Sequence, residues 1–444
     1  MPRFEIREGS SNKFWEISLE GATFTTTWGR IGTNGQTKTQ QFDSEETAKK
    51  EHDKLVREKE NKGYERVGAS ASTKGASNPE LEAAILKAPD DEAAYLVYGD
   101  WLQGQGDPRG EFIALQHARS QAIGSAATTH KRQVAAFLKK HQAQMLGGEL
   151  TRASLAEELV VDWHLGFIRA ARLGKADAES RLDVPSAVRA LLTHPSARFL
   201  RGLSIGLVDL EGNNTYDGVT RAIVDAGASQ SLQRLFIGDF NYPSQYEISW
   251  SYLKDVSPLY AVLPDLRSLR LRGTAVELAD IHLPELREFI MESGGLPLGA
   301  VKSIANARWP KLERLDVWFG SARYGAEGGV EDIRSILDGK GLPKVTQLGL
   351  CNSEFTDELV KVLPTAKILA QLTHLDLSKG ILSDEGAQVL ARNASAFGHL
   401  KSLDLRQNLL THDGVKLLAT LCPNVALGYQ RNPDADSRYC SVGE

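Results

Sequence analysis

The chain has 444 residues, a net charge of −5 and a hydrophobic fraction of 41%. That is length enough for more than one core, and the composition of a folding protein rather than a disordered one. Mild acidity argues against a protein that coats nucleic acid with its whole surface. Three cysteines (Cys351, Cys422, Cys440) without Cys-x-x-Cys spacing argue against a disulfide framework or a zinc site, so free thiols and no metal or other cofactor are expected. The opening Met-Pro-Arg-Phe-Glu-Ile-Arg-Glu has charges where a secretory leader carries its apolar core, and no run of about 18 apolar residues occurs. A cytoplasmic location without a membrane partner is the expectation.

Residues 1–67 alternate as short strands, with Phe4 and Ile6, then Phe14, Ile17 and Leu19, then Phe24, Thr26 and Trp28, punctuated by Gly21, Gly32 and Asn34-Gly35. Asn34-Gly35 predicts a type I′ hairpin, because both residues tolerate positive φ. Asp43 or Ser44 then caps a helix with Glu45 and Glu46 in its first turn, Lys59 and Lys62 in its last, and Gly63 closing it.

The run Thr27-Trp28-Gly29-Arg30-Ile31-Gly32, the following Gly35-Gln36, the strand ending at Phe42 and the helix leading to Lys62-Gly63-Tyr64 together resemble the WGR domain. In DNA-dependent poly(ADP-ribose) polymerases that domain helps to hold a broken DNA end, so the resemblance implies that Trp28 and Arg30 contact a terminal nucleotide. An indole stacks on a sugar or base, and a guanidinium grips a phosphate through two hydrogen bonds. Lys50, Lys54 and Arg57, at i, i+4 and i+7 on one helix face, are further candidates for DNA contact. Against this stands the reading of Trp28 as a sheet cover and the lysine stripe as a solvated face diluted by Glu51 and Glu58; residues 1–67 hold about as many acids as bases, and no polymerase catalytic domain follows.

Residues 68–77, Gly-Ala-Ser-Ala-Ser-Thr-Lys-Gly-Ala-Ser, offer almost nothing to bury and read as a flexible linker. Asn78-Pro79 starts amphipathic helices over about 79–88 and 91–103. The segment from Pro89-Asp90-Asp91 through Tyr98-Gly99-Asp100-Trp101-Leu102 to Gly106-Asp107-Pro108-Arg109-Gly110-Glu111-Phe112-Ile113 resembles the repeat-companion domain of large bacterial proteins, with Gly99 where that family often has Ala. The resemblance implies company with repeats and no activity. Its acids are read as a cap at Asp90 or Asp91 and a turn at Asp107-Pro108 rather than as a metal site. A helical companion region thus covers 78–150, polar and helical from 119. A hairpin over 159–168 lies within an N-terminal cap at 151–198.

From residue 199 onward a repeat governs the pattern. L-x-x-L-x-L recurs at Leu200/Leu203/Ile205, Leu232/Leu235/Ile237, Leu266/Leu269/Leu271, Leu312/Leu315/Val317, Val345/Leu348/Leu350, Leu372/Leu375/Leu377 and Leu400/Leu403/Leu405, with a degenerate copy at Leu286/Phe289/Met291. Helical halves open at the capping residues Thr356, Ser383 and Thr411. This resembles the ribonuclease-inhibitor-like class of leucine-rich repeats, with Asn408 where that family's Asn bonds the next loop; Thr274, Ser353 and Gly380 keep the position loosely. The expected fold class is α/β: a leucine-rich-repeat solenoid over 199–444, parallel sheet inside and helices outside, behind a small helical domain and an α+β WGR-like module.

Strand alternation buries the leucines and turns Arg234, Phe236, Arg270, Arg272, Arg314, Trp318, His374, Asp376, Asp404 and Arg406 onto a concave face suited to a protein partner, with Trp318 exposed and Phe236 and Phe319 either exposed or folded into the core. No nucleophile–base spacing, Gly-x-Ser-x-Gly, His-Glu-x-x-His or P-loop is present, so neither catalysis nor a small-molecule substrate is expected. Two functions remain open: a non-enzymatic bacterial protein-binding scaffold with a tethered WGR module, and a DNA-end sensor in which that module binds DNA while the repeats recruit a protein.

Overall fold

The computed structural model describes every residue except 1–2, 9–10, 32, 34, 63, 68–74, 228, 433–438 and 444. The chain divides into two compact units, Met1–Ser77 and Asn78–Glu444. In the first unit, β1 (Arg3–Glu8), β2 (Ser11–Glu20), β3 (Thr23–Arg30), β4 (Gln36–Gln41), α1 (Glu45–Asn61) and β5 (Glu65–Val67) follow in order, the strands forming an antiparallel sheet β4-β3-β2-β1-β5. Alternation places Phe4, Trp15, Ile17 and Phe24 on one face, where Leu55 and Val56 of α1 cover them. Ser44 is the cap: its Oγ accepts the Thr47 N–H at 3.2 Å. Lys59 stands in the last turn, and Lys62 falls beyond the helix.

The β3–β4 connection is wider than the two-residue turn expected from Asn34-Gly35, running from Arg30 to Gln36. The Arg30 carbonyl accepts both the N–H and the hydroxyl of Thr33, at 3.0 and 2.8 Å, which closes the turn earlier in the chain. Gly35 does take positive φ (67°), while Gly32, Asn34 and Gly63 lie outside the described residues. A Cβ on Gly29 would stand 2.8 Å from the Gly35 Cα, so the glycine of Trp-Gly-Arg is required by this close crossing.

The second unit begins with α2 (Pro79–Lys87), α3 (Glu92–Gly104), α4 (Pro108–Gln121) and α5 (Ser125–Leu155), the last kinked at Gly147 (φ 72°). Asn78, Asp91 and Asp107 cap the first three through their side-chain oxygens. Asp107-Pro108 therefore opens a helix instead of making a free turn. Buried Arg109 folds back onto the Asp107 carboxylate and over the Phe167 ring (5.4 Å). A Cβ on Gly110 would lie 2.5 Å from the Gly99 carbonyl oxygen, and one on Gly99 would touch Ile113 at 3.2 Å, so small residues at both positions let α3 and α4 cross closely.

β6 (Leu159–His164) and β7 (Phe167–Leu173) form a tight hairpin through Leu165 and Gly166, both at positive φ. Tyr98 of α3 stacks on Phe167 at 5.7 Å, which seats the helices on the hairpin. The chain continues through α6 (Val184–Thr193), β8 (Gly202–Ile205), β9 (Asn214–Thr215), α7 (Asp217–Ala226), β10 (Arg234–Ile237), β11 (Ser251–Asp255), α8 (Leu259–Val262), β12 (Ser268–Arg272), β13 (Thr274–Glu277), β14 (Glu288–Glu292), α9 (Leu298–Asn306) and β15 (Arg314–Gly320). Then come α10 (Arg334–Leu337), β16 (Gln347–Ser353), α11 (Thr356–Val362), β17 (His374–Asp376), α12 (Asp384–Arg392), α13 (Ala394–Phe397), β18 (Ser402–Asp404), α14 (His412–Leu418) and β19 (Val425–Ala426).

An eleven-stranded sheet, β19-β18-β17-β16-β15-β14-β12-β10-β8-β7-β6, is parallel throughout except for its β6–β7 edge. The repeated apolar residues stand in register: Leu203, Leu235, Leu269, Phe289, Leu315, Leu348, Leu375 and Leu403 are each the Cα partner of the next. They share one core with Val219, Ile304, Leu359, Leu390 and Leu418 of the helices. One sheet face is therefore covered by helices, and the other carries the alternate residues. The molecule is a mixed α/β protein with a large, predominantly parallel sheet. No helix among the described residues is long and apolar enough to cross a membrane.

Several details depart from expectation. A second parallel sheet, β13-β11-β9, follows the first strands, held by buried Asn214, whose Nδ2 donates to Ser251 Oγ at 3.0 Å. Phe289 and Met291 of the degenerate copy are wholly buried in a full strand, with Leu286 wholly buried just before it. Thr356 is no cap; its hydroxyl donates to the Ser353 carbonyl at 2.8 Å, whereas Ser383 and Thr411 do cap their helices. Asn408 bonds the preceding loop rather than the next, accepting from Leu382 N (2.9 Å) and donating to the Leu377 and Leu405 carbonyls. Beyond β19, the segment Tyr439–Gly443 runs back along the strand ends to Asn352.

Candidate functional sites

In the first unit, Trp28 and Arg30 lie on the exposed end of β3. Trp28 is 37% exposed and pairs across the sheet with buried Trp15, while Arg30 pairs with exposed Lys13. The ammonium of Lys59 lies 5.4 Å from the Trp15 ring centre and 4.8 Å from that of Tyr64. Burial first, then the Lys62 charge, hold the Lys59 pKa below its ordinary value, with Glu58 opposing the shift and Lys13 adding a smaller part. Lys13, Arg30, Lys59 and Lys62 thus gather around the Trp28 end of the sheet.

The other candidates do not join them. Ala48, Leu55 and Val56 turn α1 toward the sheet, which leaves exposed Lys50 and Lys54 on its far side, Lys54 beside Glu51 at 3.4 Å. The side chain of Arg57 lies outside the described residues. Sequence reasoning missed Lys13 because it sits in a strand fifteen residues before Trp28, and only the β2–β3 register places it opposite Arg30.

In the second unit, the helix-free sheet face holds a cleft of about 520 Å3 whose lining includes Arg234, Phe236, Arg270, Arg314, Trp318 and Asp376. Small residues at its N-terminal end (Ala170, Gly202, Ser204, Ser268) leave the room. A neighbouring hollow of about 240 Å3 adds His374 and Asp404. Eight of the ten candidates for protein binding therefore converge on two adjoining hollows.

Their state differs from a row of free arginines. Arg270 and Arg272 both bond Glu292, at 2.7 and 2.6 Å, and Arg314 bonds Asp316 at 3.0 Å and Glu288 at 3.4 Å. Arg272 points away from the cleft to the Phe240 carbonyl, and exposed Arg406 bonds Asp404 of its own strand end at 3.0 Å. Arg234 stays exposed at the mouth. Phe236 is half-buried with the Arg270 guanidinium 4.4 Å above its ring. Trp318, expected to be exposed, is half-buried under the Lys379 ammonium (4.9 Å) and against the Phe240 cluster. Phe319 folds into the core against Phe355 at 5.0 Å.

Burial and the nearby Asp376 charge raise the Asp316 carboxyl above its ordinary pKa. The buried Cys351 thiol is pushed up by burial and by the same two carboxylates, so it is held protonated. Of the two carboxylates that neutralise the arginines, alternation had already turned Glu292 onto the concave face, while Glu288, at the start of the same strand, was not singled out from the sequence.

Comparison with known proteins places this geometry. Residues 3–71 match the family model of the WGR domain. Over 63 residues the chain is 41% identical to the Uncharacterized protein YfeS of Escherichia coli (strain K12), covering 14% of this chain and 26% of that one. The chain thus spans about a quarter of the length of this curated relative. A crystal structure of a Bacteroides fragilis protein is similar over 100% of this chain and 99% of its own, at 22% identity and a TM-score of 0.51, a likeness of fold alone. An internalin from Listeria monocytogenes is 14% identical, covering 66% of this chain and 93% of that one, with a TM-score of 0.28. With Trp28-Gly29-Arg30 on the third strand of the sheet and a helix packed behind it, residues 3–71 of this chain are a WGR domain.

Proposed function

We propose that the chain is a non-enzymatic, cytoplasmic binding protein whose second unit is a leucine-rich-repeat solenoid and whose cleft grips an extended segment of a protein partner. The observation that carries this reading is the in-register ladder of buried apolar residues, because it turns alternate side chains of neighbouring parallel strands toward two adjoining hollows. Stacked units that each bury one face against their neighbours leave such a surface free for recognition. A cleft whose arginines and carboxylates are already paired suits a partner with both charges, which exchanges ion pairs instead of desolvating lone ones.

A photo-crosslinking residue at Phe236, compared with one at exposed Leu417 of α14, tests the proposal in cells. One protein captured from position 236 alone, and lost on Arg234→Ala with Arg270→Ala, is the expected result. Equal capture from both positions defeats it.

A second reading is favoured by a separate observation, the gathering of Trp28, Arg30, Lys13, Lys59 and Lys62 at one end of the WGR sheet. It assigns this end to nucleic acid, with the indole stacking and the cations meeting phosphates. Fluorescence anisotropy with blunt, nicked and intact duplexes at several salt concentrations should show about ten-fold weaker binding for Trp28→Ala or Arg30→Ala. Lys50→Ala and Lys54→Ala, on the far side of α1, should change little. Unchanged affinity in the first pair would rule the reading out.

A further inference from the structure

We propose that the strand-end rim of the second unit is a slot for an extended peptide with a β-branched residue followed by glycine, and that the segment Tyr439–Gly443 is its tethered occupant. The contacts are those of peptide recognition rather than of a packed loop. The Asn352 side chain, wholly buried, reads the backbone of one residue from both sides: its Oδ1 accepts the Val442 N–H at 2.8 Å and its Nδ2 donates to the Val442 carbonyl at 2.6 Å. A side-chain amide used in this way reproduces the paired bonds of a neighbouring strand. One residue earlier, the Ser441 N–H donates to the Lys379 carbonyl at 2.7 Å.

Side-chain selection is built beside this clamp. Val442 is 3% exposed in an apolar cluster with Leu207, Phe240, Tyr246 and Ile248. The following position is crowded for any residue larger than glycine. A Cβ on Gly443 would stand 2.6 Å from the Tyr324 ring, and one on Gly294 would lie 2.3 Å from the Gly443 carbonyl oxygen. Trp318, which lines the neighbouring cleft, packs on the same apolar pocket, so filling and emptying the slot changes one wall of the cleft.

A segment of the same chain competes at an effective concentration on the order of millimolar, which hides the slot from peptide at lower concentration. Substitutions within the segment release it while leaving the identity of every residue that lines the slot unchanged. The full-length protein is therefore titrated, by fluorescence anisotropy under reducing conditions, with a labelled and amidated peptide of sequence Tyr-Cys-Ser-Val-Gly. Val442→Asp and Gly443→Ala, each shown by circular dichroism to be folded, should bind it at least ten-fold more tightly than the unmodified chain. A control peptide with aspartate in place of valine should bind none of the three.

In the unmodified chain, millimolar peptide should speed hydrogen exchange at the Val442 amide by displacing the tethered copy, a readout that does not depend on either variant folding. Equal affinity in all three proteins, equal binding of the control peptide, or unchanged exchange at Val442 overturns the proposal.

Discussion

Asn408 illustrates how a single side chain joins two turns of the chain. Its amide satisfies the Leu382 N–H, the Leu377 carbonyl and the Leu405 carbonyl, the last shared with the Gln430 side chain, and it is itself wholly buried. Asn408→Ala should therefore lower stability by about 3 kcal/mol, read from the urea midpoint, because each orphaned buried group costs about 1–3 kcal/mol. His194 provides a pH test at the same scale. Its Nδ1 accepts the Ser196 N–H at 3.1 Å, which requires that nitrogen to be unprotonated. Burial, and then the Arg109 charge, lower its pKa to about 4 from an ordinary 6.5. The unfolded chain accordingly takes up a proton that the folded chain refuses. The His194 contribution is complete above pH 6.5 and is lost as pH falls toward 4, by an amount on the order of 2 kcal/mol. Thermal unfolding at pH 7 and pH 5 should show a drop that His194→Asn reduces; an identical drop in the variant would remove this cause.

Between elements, neighbouring helix starts are locked together by rungs that span 26 and 27 residues of sequence. Asp357 of α11 accepts the Ser383 N–H and hydroxyl, at 2.9 and 2.6 Å, and Asp384 of α12 does the same for Thr411, at 3.0 and 2.5 Å. Each rung leaves room only for glycine opposite: a Cβ on Gly386 or Gly414 would lie 2.3 or 2.1 Å from the aspartate oxygen. Gly414→Ala should thus destabilise by about 1–3 kcal/mol through overpacking. A double-mutant cycle of Asp384→Ala with Thr411→Ala should show coupling of about 1 kcal/mol, and additivity would show that the rung is energetically idle. The caps Ser383 and Thr411 were legible because a cap acts on its own helix. Their aspartate partners were not, since nothing local marks a contact made with the preceding unit. Thr356 misled for the same reason: its hydroxyl is drawn to the Ser353 carbonyl and the Ile381 N–H.

At the scale of the molecule, the two units each hold their own core. Residues 78–444 expressed without the WGR domain should unfold with a midpoint within about 1 °C of the same transition in the full chain, because a change of 1 kcal/mol shifts a unit of this size by about 1–2 °C. A larger loss would show that the WGR domain stabilises the rest.

What the sequence determined by itself is whatever depends on period and local chemistry: strand alternation and the Trp-Gly-Arg end of the first unit, the parallel register of the apolar repeats in the second, and most helix caps. Such signals lie within a few residues of what they specify. Only the tertiary structure decided which charges meet. Lys13 reaches Arg30 through strand register, Glu292 takes up both Arg270 and Arg272, Trp318 is roofed by Lys379, and Val442 returns to Asn352 across 90 residues. The physical reason is that burial pattern is set by neighbours along the chain, whereas the partner of a polar group is set by whichever distant group the packed backbone brings within about 3 Å.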